Sequence, residues 1–178
     1  MRYTECPIPG LWIIESNVYS DSRGYFMESY KQQEFDRHIG TVHFIQDNES
    51  QSSFGVLRGL HFQSGDTAQA KLVRVIRGKV WDVAVDIRKD SPTFGQHCAL
   101  ELSEENKRQF FIPRGFAHGF LVLSETALFQ YKVDNMYSPE TEQTLNCMSP
   151  ELNIPWPLNS DQWILSEKDK QGKSLKEL

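Results

Sequence analysis

Short stretches of alternating apolar and polar residues constrain the fold of this chain more than any other feature. Residues 80–87 are the clearest example, since every odd-numbered position is apolar and two even-numbered positions are aspartates. A period of two places alternate side chains on opposite faces of a β-strand. Further stretches typical of strands occur at residues 10–16, 25–30, 43–48, 98–103, 108–113, 119–124 and 128–133. Many short strands with little helix between them predict an all-β fold, an antiparallel sandwich or barrel.

Helix signals are few and short. Phe35 and Ile39 have helical spacing, and Gly40 follows them as a stop signal. Ser166 is placed to cap a short helix near the C-terminus. No internal repeat, low-complexity tract or linker divides the sequence, and 178 residues is the usual size of one domain. We therefore predict a single domain spanning residues 1–178, with a few short helices.

Composition and charge argue against several classes of partner. The net charge is −5 and no basic stripe is present, so nucleic acid is not an expected partner. No apolar run approaches the ~18 residues of a membrane span, and the N-terminus lacks the apolar stretch of a secretion signal. Cys6, Cys98 and Cys147 form no CxxC motif, and an odd cysteine count without a signal peptide predicts reduced thiols in the cytoplasm. Local arginines and lysines can still bind small anions.

Residues 55–63, with the sequence GVLRGLHFQ, concentrate reactive side chains in otherwise apolar chain. They include Arg58 and His61, and Lys71 opens the next strand-like stretch, KLVRVI. We expect the two stretches to pair as neighbouring strands, which would bring a base, an anion-binding guanidinium and a second cation together. Arg58 and His61 are three positions apart, so a regular strand would point them to opposite faces. Both can serve one pocket only if the strand has a bulge or break, which Gly59 permits.

At GVLRGLHFQ the chain resembles the dTDP-4-dehydrorhamnose 3,5-epimerases, and the resemblance covers almost the whole length. The other matching segments are DSRGYFMESY (21–30), QDNESQSS (46–53), AKLVRV (70–75), VDIRKDSPTFG (85–95), IPRGFAHGF (112–120), YKVDNMYSPETE (131–142), IPWP (154–157) and LSEKD (165–169). The resemblance implies a homodimer with a cupin-type jelly-roll fold. It also implies a cofactor-free epimerase that converts dTDP-4-dehydro-6-deoxy-D-glucose to dTDP-4-dehydro-L-rhamnose, on the route to activated rhamnose for polysaccharide.

Such a reaction makes clear demands on side chains. The carbonyl of a 4-keto sugar acidifies the protons on the flanking carbons, C3 and C5. Inverting either carbon requires a base on one face of the sugar, a group that stabilises the enolate, and an acid on the other face. The sequence contains neither a GxGxxG nor a GxxxxGK[ST] motif, which agrees with chemistry that needs neither NAD nor ATP.

Four residues match the catalytic positions of the family. The resemblance implies that His61 is the base and that Asp169 is the carboxylate that orients it. Lys71 would stabilise the enolate oxygen, and Tyr131 would donate a proton on the opposite face. An imidazole titrates near neutral pH, which suits a general base, and strand alternation places Tyr131 on the same face as Phe129. The alternatives are a strand-end lysine whose amine reaches water and an ordinary core tyrosine.

Further positions match substrate-binding residues of the family. Arg58 would bind the diphosphate, whose oxygens suit a guanidinium fork, and His118 would line the substrate pocket. The remaining matched positions are Arg23, Glu28, Gln46, Asp47, Asn48, Tyr137, Glu142 and Lys168. Among them, the resemblance implies that Tyr137 stacks on the thymine ring and that Arg23 and Glu28 reach the nucleotide or sugar of the same or a neighbouring subunit. The alternative for these outer positions is an ordinary exposed polar residue.

Three alternatives stand beside a double epimerase. Related epimerases of other nucleotide 4-keto-6-deoxysugars invert only C5 or only C3, and they differ in pocket shape more than in catalytic residues. A non-catalytic sugar-binding jelly roll would have no reason to keep a base, an acid and a buried lysine together. A metal-dependent cupin would carry an HxH pair, whereas this chain has His61, Phe62 and Gln63 at that position, so we predict no metal site.

Overall fold

The computed structural model describes residues 1–178 and consists mainly of antiparallel strands. The strands are β1 (Arg2–Glu5), β2 (Trp12–Glu15), β3 (Val18–Asp21), β4 (Gly24–Met27), β5 (Gln46–Ser53), β6 (Leu57–Gln63), β7 (Lys71–Arg77), β8 (Lys79–Asp86), β9 (His97–Ser103), β10 (Arg108–Ile112), β11 (Phe116–Val122), β12 (Thr126–Val133) and β13 (Glu142–Thr144). The α-helices are α1 (Gln32–His38) and α2 (Glu167–Lys170). Short 3-10 helices span Gly65–Thr67, Pro150–Leu152, Ser160–Gln162 and Leu175–Glu177.

Two antiparallel sheets form the body of the molecule, and the predicted all-β jelly-roll architecture is confirmed. Sheet A contains six strands in the order β1-β2-β10-β7-β12-β5. Sheet B contains five strands in the order β13-β6-β11-β8-β9. Strands β3 and β4 form a separate hairpin that pairs with neither sheet. Neighbours within a sheet are mostly distant in sequence, as in other jelly rolls.

The main core lies between sheets A and B. Val73 and Phe129 project into it from sheet A, and Ala84 and Phe120 project into it from sheet B. The rings of Phe120 and Phe129 stack with their centroids 4.1 Å apart. Full burial of such a side chain stabilises a fold by ~1.5–3 kcal/mol, so this layer holds the two sheets at a defined separation.

A second core covers the outer face of sheet B. Leu57, Val83 and Leu121 are buried there against the C-terminal segment, including Trp156 and Trp163. Sheet B is therefore apolar on both faces, and its strands show long buried runs in the structure. This packing also holds helix α2 against β6, which places the C-terminal segment beside the residues singled out in the sequence.

Strands β6 and β7 do not pair with each other, so that prediction is wrong. β6 lies in sheet B between β13 and β11, and β7 lies in sheet A between β10 and β12. Residues 64–70 cross from one sheet to the other, and β7 has no free edge to offer β6. His61 and Lys71 consequently belong to facing sheets instead of neighbouring strands.

The strand predicted at residues 43–48 begins later than expected. β5 starts at Gln46 and continues to Ser53, with the polar sequence QDNESQSS. It pairs with β12 along the full length of both strands. The polar composition concealed this strand because cross-strand pairing in the folded protein outweighs weak intrinsic β-propensity.

The irregularity predicted at Gly59 is confirmed. Opposite strand β11, Arg58 pairs with Phe120 and His61 pairs with His118, so the register shifts between the two pairs. Gly59 has a φ of +125°, a conformation that favours glycine. Because His118 and Phe120 are two positions apart on β11, they share a face, and Arg58 and His61 must therefore share that face as well.

Both predicted helices are present. In α1, Phe35 is fully buried and contacts Phe111 edge-to-face, with 5.1 Å between the ring centroids. Helix α2 follows Ser166, whose side-chain oxygen accepts a hydrogen bond from the Asp169 amide, as expected of an N-cap. No helix in the structure combines the length and the apolar composition needed to cross a membrane.

Candidate active site

The reactive side chains converge in the space between sheets A and B. His61 and His118 lie directly opposite each other on β6 and β11 of sheet B. Lys71 is the first residue of β7 and Tyr131 lies on β12, both in sheet A. Lys71 and Tyr131 both interact electrostatically with Glu142, and His118 interacts with Lys71 and His61. Residues that are far apart in sequence thus form one electrostatically coupled group.

His61 and Asp169 form a hydrogen-bonded pair. Nε2 of His61 lies 2.5 Å from Oδ1 of Asp169, and their side chains are 30% and 5% exposed. A carboxylate bound to Nε2 favours the tautomer that carries its proton there, which leaves Nδ1 to accept a proton from another molecule. The pair thus has the geometry of a general base with an orienting carboxylate.

Two further groups hold the Asp169 carboxylate. Ser166 donates a hydrogen bond from Oγ to Oδ2 of Asp169 over 2.7 Å, and the Gly59 backbone amide also donates to this carboxylate. Burial acts to raise the pKa of Asp169, but the hydrogen bonds from His61, Ser166 and Gly59 bring that pKa below its ordinary value. Asp169 is therefore ionised at neutral pH and can stabilise a protonated His61.

Burial destabilises the charged form of Lys71. Burial lowers its pKa to about 8, while the carboxylates of Asp82 and Glu142 act in the opposite direction. An amine with this pKa is mostly protonated at neutral pH, and it carries its positive charge into the space between the sheets. A desolvated ammonium group is suited to stabilise a developing oxyanion.

Tyr131 points into the sandwich as strand alternation predicts. It packs against the main core beside Phe129, with 6.3 Å between the two ring centroids. Burial raises the pKa of Tyr131; the positive charge of Arg58 opposes this and the negative charge of Glu142 adds to it. The phenol therefore keeps its proton at neutral pH and is available to donate it.

Arg58 shares the His61 face of β6 because of the irregularity at Gly59. Its Nε donates a hydrogen bond to Oγ of Ser52 on β5 over 2.9 Å, and its side chain is otherwise exposed. A cavity of ≈ 350 Å³ is lined in part by Arg58, His61, Lys168 and Asp169. A guanidinium at the edge of this cavity is positioned to bind an anionic group.

His118 has its own carboxylate partner, which the sequence did not reveal. Its Nε2 lies 3.0 Å from each carboxylate oxygen of Asp82, and both side chains are buried. Burial lowers the pKa of His118 more than Asp82 raises it. The only signal in the sequence was Asp82, which shares a face with Ala84 on an apolar strand. A carboxylate that is buried at such a position requires a partner.

Comparison with known proteins identifies the family. The model of the dTDP-4-dehydrorhamnose 3,5-epimerase family matches residues 5–177. The chain belongs to this family. It is 53% identical to the dTDP-4-dehydrorhamnose 3,5-epimerase of Pseudomonas aeruginosa over 176 residues, covering 98% of this chain and 96% of that protein.

Solved structures agree with this assignment. The dTDP-4-dehydrorhamnose 3,5-epimerase of Elizabethkingia anophelis superposes with a TM-score of 0.96 at 51% identity, covering 99% of this chain and 97% of that one. The dTDP-6-deoxy-D-glucose-3,5-epimerase of Legionella pneumophila, in complex with dTDP-4-keto-L-rhamnose, superposes with a TM-score of 0.95 at 50% identity. That match covers 98% of this chain and 93% of the Legionella chain.

In this member of the epimerase family, three outer residues form a cluster near His61. Glu142 on β13 accepts a hydrogen bond from the Tyr137 hydroxyl over 2.6 Å and forms an ion pair with Lys168. Burial acts to raise the pKa of Glu142, but Lys168, Tyr137 and His61 bring that pKa below its ordinary value. Glu142 is thus an ionised carboxylate at the edge of the site.

The three polar residues at the start of β5 divide between two faces. Asn48 pairs with Tyr131 and Gln46 with Val133, so both side chains share the Tyr131 face, and they hydrogen-bond to each other over 2.7 Å. Asp47 lies on the opposite face and accepts a hydrogen bond from Lys132 over 2.8 Å. The structure therefore brings Gln46 and Asn48 towards the site and turns Asp47 away from it.

Arg23 and Glu28 lie apart from the other predicted residues. Arg23 occupies the turn of the β3–β4 hairpin, where its guanidinium pairs with Asp21, and Glu28 directly follows β4. Arg23 lines a cavity of ≈ 310 Å³ formed by hairpin residues alone. Within one chain, these two residues are not brought to His61.

No group of three or more His, Cys, Asp or Glu side chains in the structure is arranged to hold a metal ion.

Proposed function

We propose that this protein is a dTDP-4-dehydrorhamnose 3,5-epimerase that converts dTDP-4-dehydro-6-deoxy-D-glucose to dTDP-4-dehydro-L-rhamnose. The observation that carries the proposal is the placement of the base and the acid on facing sheets. The His61–Asp169 pair lies on the side of sheet B, and Tyr131 lies on sheet A, as does Lys71. A base and an acid on facing sheets can reach opposite faces of one sugar ring. That arrangement is what inversion at a carbon requires.

The proposed reaction begins with proton abstraction. Nδ1 of His61 removes the proton from a carbon next to the C4 carbonyl, and the C–H electron pair moves into the enolate, leaving negative charge on the C4 oxygen. The Lys71 ammonium stabilises that oxygen, and Asp169 stabilises the imidazolium. Tyr131 then donates its phenolic proton to the opposite face of the same carbon. Exchange with solvent restores His61 and Tyr131 before the second carbon reacts.

Substrate recognition in this proposal uses the outer residues. The Arg58 guanidinium binds the diphosphate, and its hydrogen bond to Ser52 limits its rotamers before the ligand arrives. His118, Gln46, Asn48 and the cluster of Tyr137, Glu142 and Lys168 complete the pocket. The product retains a 4-keto group, so a separate reductase must act next to yield dTDP-L-rhamnose for polysaccharide.

We further propose that the chain is a single domain that works as a cytoplasmic homodimer. The β3–β4 hairpin exposes Tyr19 and Phe26 at 63% and 67%, and β5 is an edge strand of sheet A. Exposed aromatics and open strand edges are usually covered by a partner, and a second copy would also bring Arg23 and Glu28 into reach of a site. Sedimentation velocity tests this, since a monomer at micromolar concentration would contradict it.

The decisive experiment is proton NMR of the purified, chelator-treated protein with the 4-keto-6-deoxyglucose nucleotide in deuterium oxide. Exchange at C3 and C5 with formation of an L-configured product is expected without added metal. Exchange at a single carbon would instead indicate a C3-only or C5-only epimerase of a related deoxysugar. Nucleotide binding without any exchange would indicate another substrate or a sugar-binding protein.

Tyr131→Phe tests the acid separately. Without the phenol, His61 can still return a proton to the face from which it came, so net inversion should fall by roughly 10²-fold or more while deuterium exchange continues. The ratio of exchange to inversion, measured in one NMR time course, is the readout. A fully active Tyr131→Phe variant would refute the assignment of Tyr131.

A further inference from the structure

Two of the three cysteines lie side by side at the open edge of the sandwich. Sγ of Cys98 lies 3.1 Å from Sγ of Cys6, although the residues are 92 positions apart. Cys6 directly follows β1, the edge strand of sheet A, and Cys98 lies on β9, the edge strand of sheet B. The proposed epimerisation uses neither thiol.

We propose that Cys6 and Cys98 form an oxidation site, at which a peroxide converts the two thiols into a disulfide that joins sheet A to sheet B. The two sulfur atoms must approach by only about 1 Å to reach bonding distance. No backbone pairing connects β1 with β9, so this bond would link two edges that now meet only through side chains.

The surroundings give the two thiols different roles. Cys98 is partly exposed, whereas Cys6 is 8% exposed, so Cys98 is the thiol that a peroxide reaches first. The contact between the two sulfur atoms lowers the pKa of Cys98, although burial and the charge of Asp82 oppose this, and it raises the pKa of Cys6. Cys98 is therefore the thiolate nucleophile and Cys6 the resolving thiol.

The chemistry balances without a further reactant. The Cys98 thiolate attacks one peroxide oxygen, the O–O bond breaks, and the products are Cys98 sulfenic acid and hydroxide. Cys6 loses its proton to that hydroxide, and its sulfur attacks the Cys98 sulfur. The S–O bond breaks and hydroxide leaves, taking up a proton to form water. Two thiols and one hydrogen peroxide thus yield one disulfide and two water molecules.

Cys147 provides an internal control. It is 2% exposed, and burial raises its pKa to about 11, so it lacks both access and thiolate character. It also has no second thiol beside it, since the only sulfur–sulfur contact in the structure joins Cys6 and Cys98. Oxidation should therefore leave Cys147 available to an alkylating reagent after denaturation.

The test is stepwise treatment of the full chain with hydrogen peroxide, followed by alkylation in denaturant and mass spectrometry without reduction. We expect the loss of two hydrogens from the intact chain, a cross-linked pair of peptides containing Cys6 and Cys98, and an alkylated Cys147. The midpoint of thermal unfolding should rise by several degrees and return to its starting value with dithiothreitol.

Variants separate this site from general oxidation. In the Cys6→Ser variant, oxidation should stop at the sulfenic or sulfinic acid of Cys98, and the midpoint of thermal unfolding should not rise. The Cys147→Ser variant should behave as the unmodified chain. Retention of both alkylatable thiols at excess peroxide would overturn the proposal. A cross-link between two chains, or one that includes Cys147, would overturn it as well. None of these readouts depends on epimerase activity.

Discussion

The two histidine–carboxylate pairs of sheet B share one chemistry and differ in environment. His61 and His118 lie opposite each other on neighbouring strands, yet His61 is 30% exposed and His118 only 7%. The partner of His61 arrives from helix α2, 108 positions away, whereas Asp82, the partner of His118, lies on the adjacent strand β8. The His61 pair is partly exposed, whereas the His118 pair is almost fully buried.

This difference assigns the two pairs different tasks. In the proposed mechanism, His61 exchanges a proton with the substrate, because its ring is partly exposed and lines the cavity beside Arg58 and Asp169. Burial holds the pKa of His118 below its ordinary value, so His118 is neutral at neutral pH and acts as a fixed hydrogen-bonding group beside the charge of Asp82. In the proposed mechanism, environment rather than residue type therefore distinguishes His61, the general base, from His118, a positioning residue.

The largest effect should come from replacing His61 by glutamine, with the same change at His118 as the comparison. A glutamine amide can occupy the Nε2 position but cannot accept a proton, so His61→Gln should lower the rate of inversion by roughly 10²–10⁴-fold and abolish deuterium exchange. His118→Gln keeps a donor for Asp82 and should retain measurable exchange. Calorimetric titration with dTDP controls for folding and binding. Equal loss of exchange in the two variants would remove the distinction between the pairs.

Asp169→Asn should have the next largest effect. The amide still occupies the place of the carboxylate but cannot stabilise a protonated His61, so we expect a rate loss of roughly 10²-fold. The measurement is the initial rate of deuterium exchange at C5. Circular dichroism is the control that the fold, including α2, stays intact. Wild-type exchange in this variant would mean that His61 acts without its partner.

Asp82→Asn should alter the pH dependence more than the maximal rate. Burial lowers the pKa of Lys71 to about 8 and Asp82 opposes that shift, so removing this carboxylate should lower the pKa of Lys71 further. The amine then loses its proton at lower pH, and the alkaline limb of the rate profile moves towards neutrality. A shift of one unit would give up to about a tenfold loss on the alkaline side of the profile.

Two other titratable groups interact electrostatically with Lys71, namely Glu142 and His118. Neither is substituted in this experiment. Asp161→Asn, on an exposed 3-10 helix, removes the same charge from a residue that does not contribute to the pKa of Lys71, so it should leave the profile unchanged. An alkaline limb that stays in place in Asp82→Asn would show that Asp82 does not support the charge of Lys71.

The smallest effect is expected from Ser166→Ala. This substitution removes the N-cap of α2 and one hydrogen bond to Asp169. The hydrogen bonds that His61 and the Gly59 amide make to Asp169 remain. The free energy of unfolding, measured in urea, should fall by about 1 kcal/mol, and the rate of exchange should fall only severalfold. A rate loss as large as that of Asp169→Asn would mean that Ser166 holds the carboxylate in place.

Much of the architecture follows from local patterns in the sequence. Period-two alternation identified the strand at residues 80–87, and helical spacing with a glycine stop identified α1. The three-residue spacing of Arg58 and His61, taken with the expectation that both serve one pocket, predicted the irregularity at Gly59. These features are readable because they depend on the geometry of a few consecutive residues.

The tertiary structure alone decided which elements meet. β6 and β7 were expected to pair and instead belong to facing sheets, and Asp47 turned out to lie on the face away from Tyr131. The sequence itself therefore determined most of the strands, the break at Gly59 and the presence of reactive side chains. The partners of His118 and Cys98 depend on how the two sheets close, because a contact between residues 36 or 92 positions apart leaves no periodic trace in the chain.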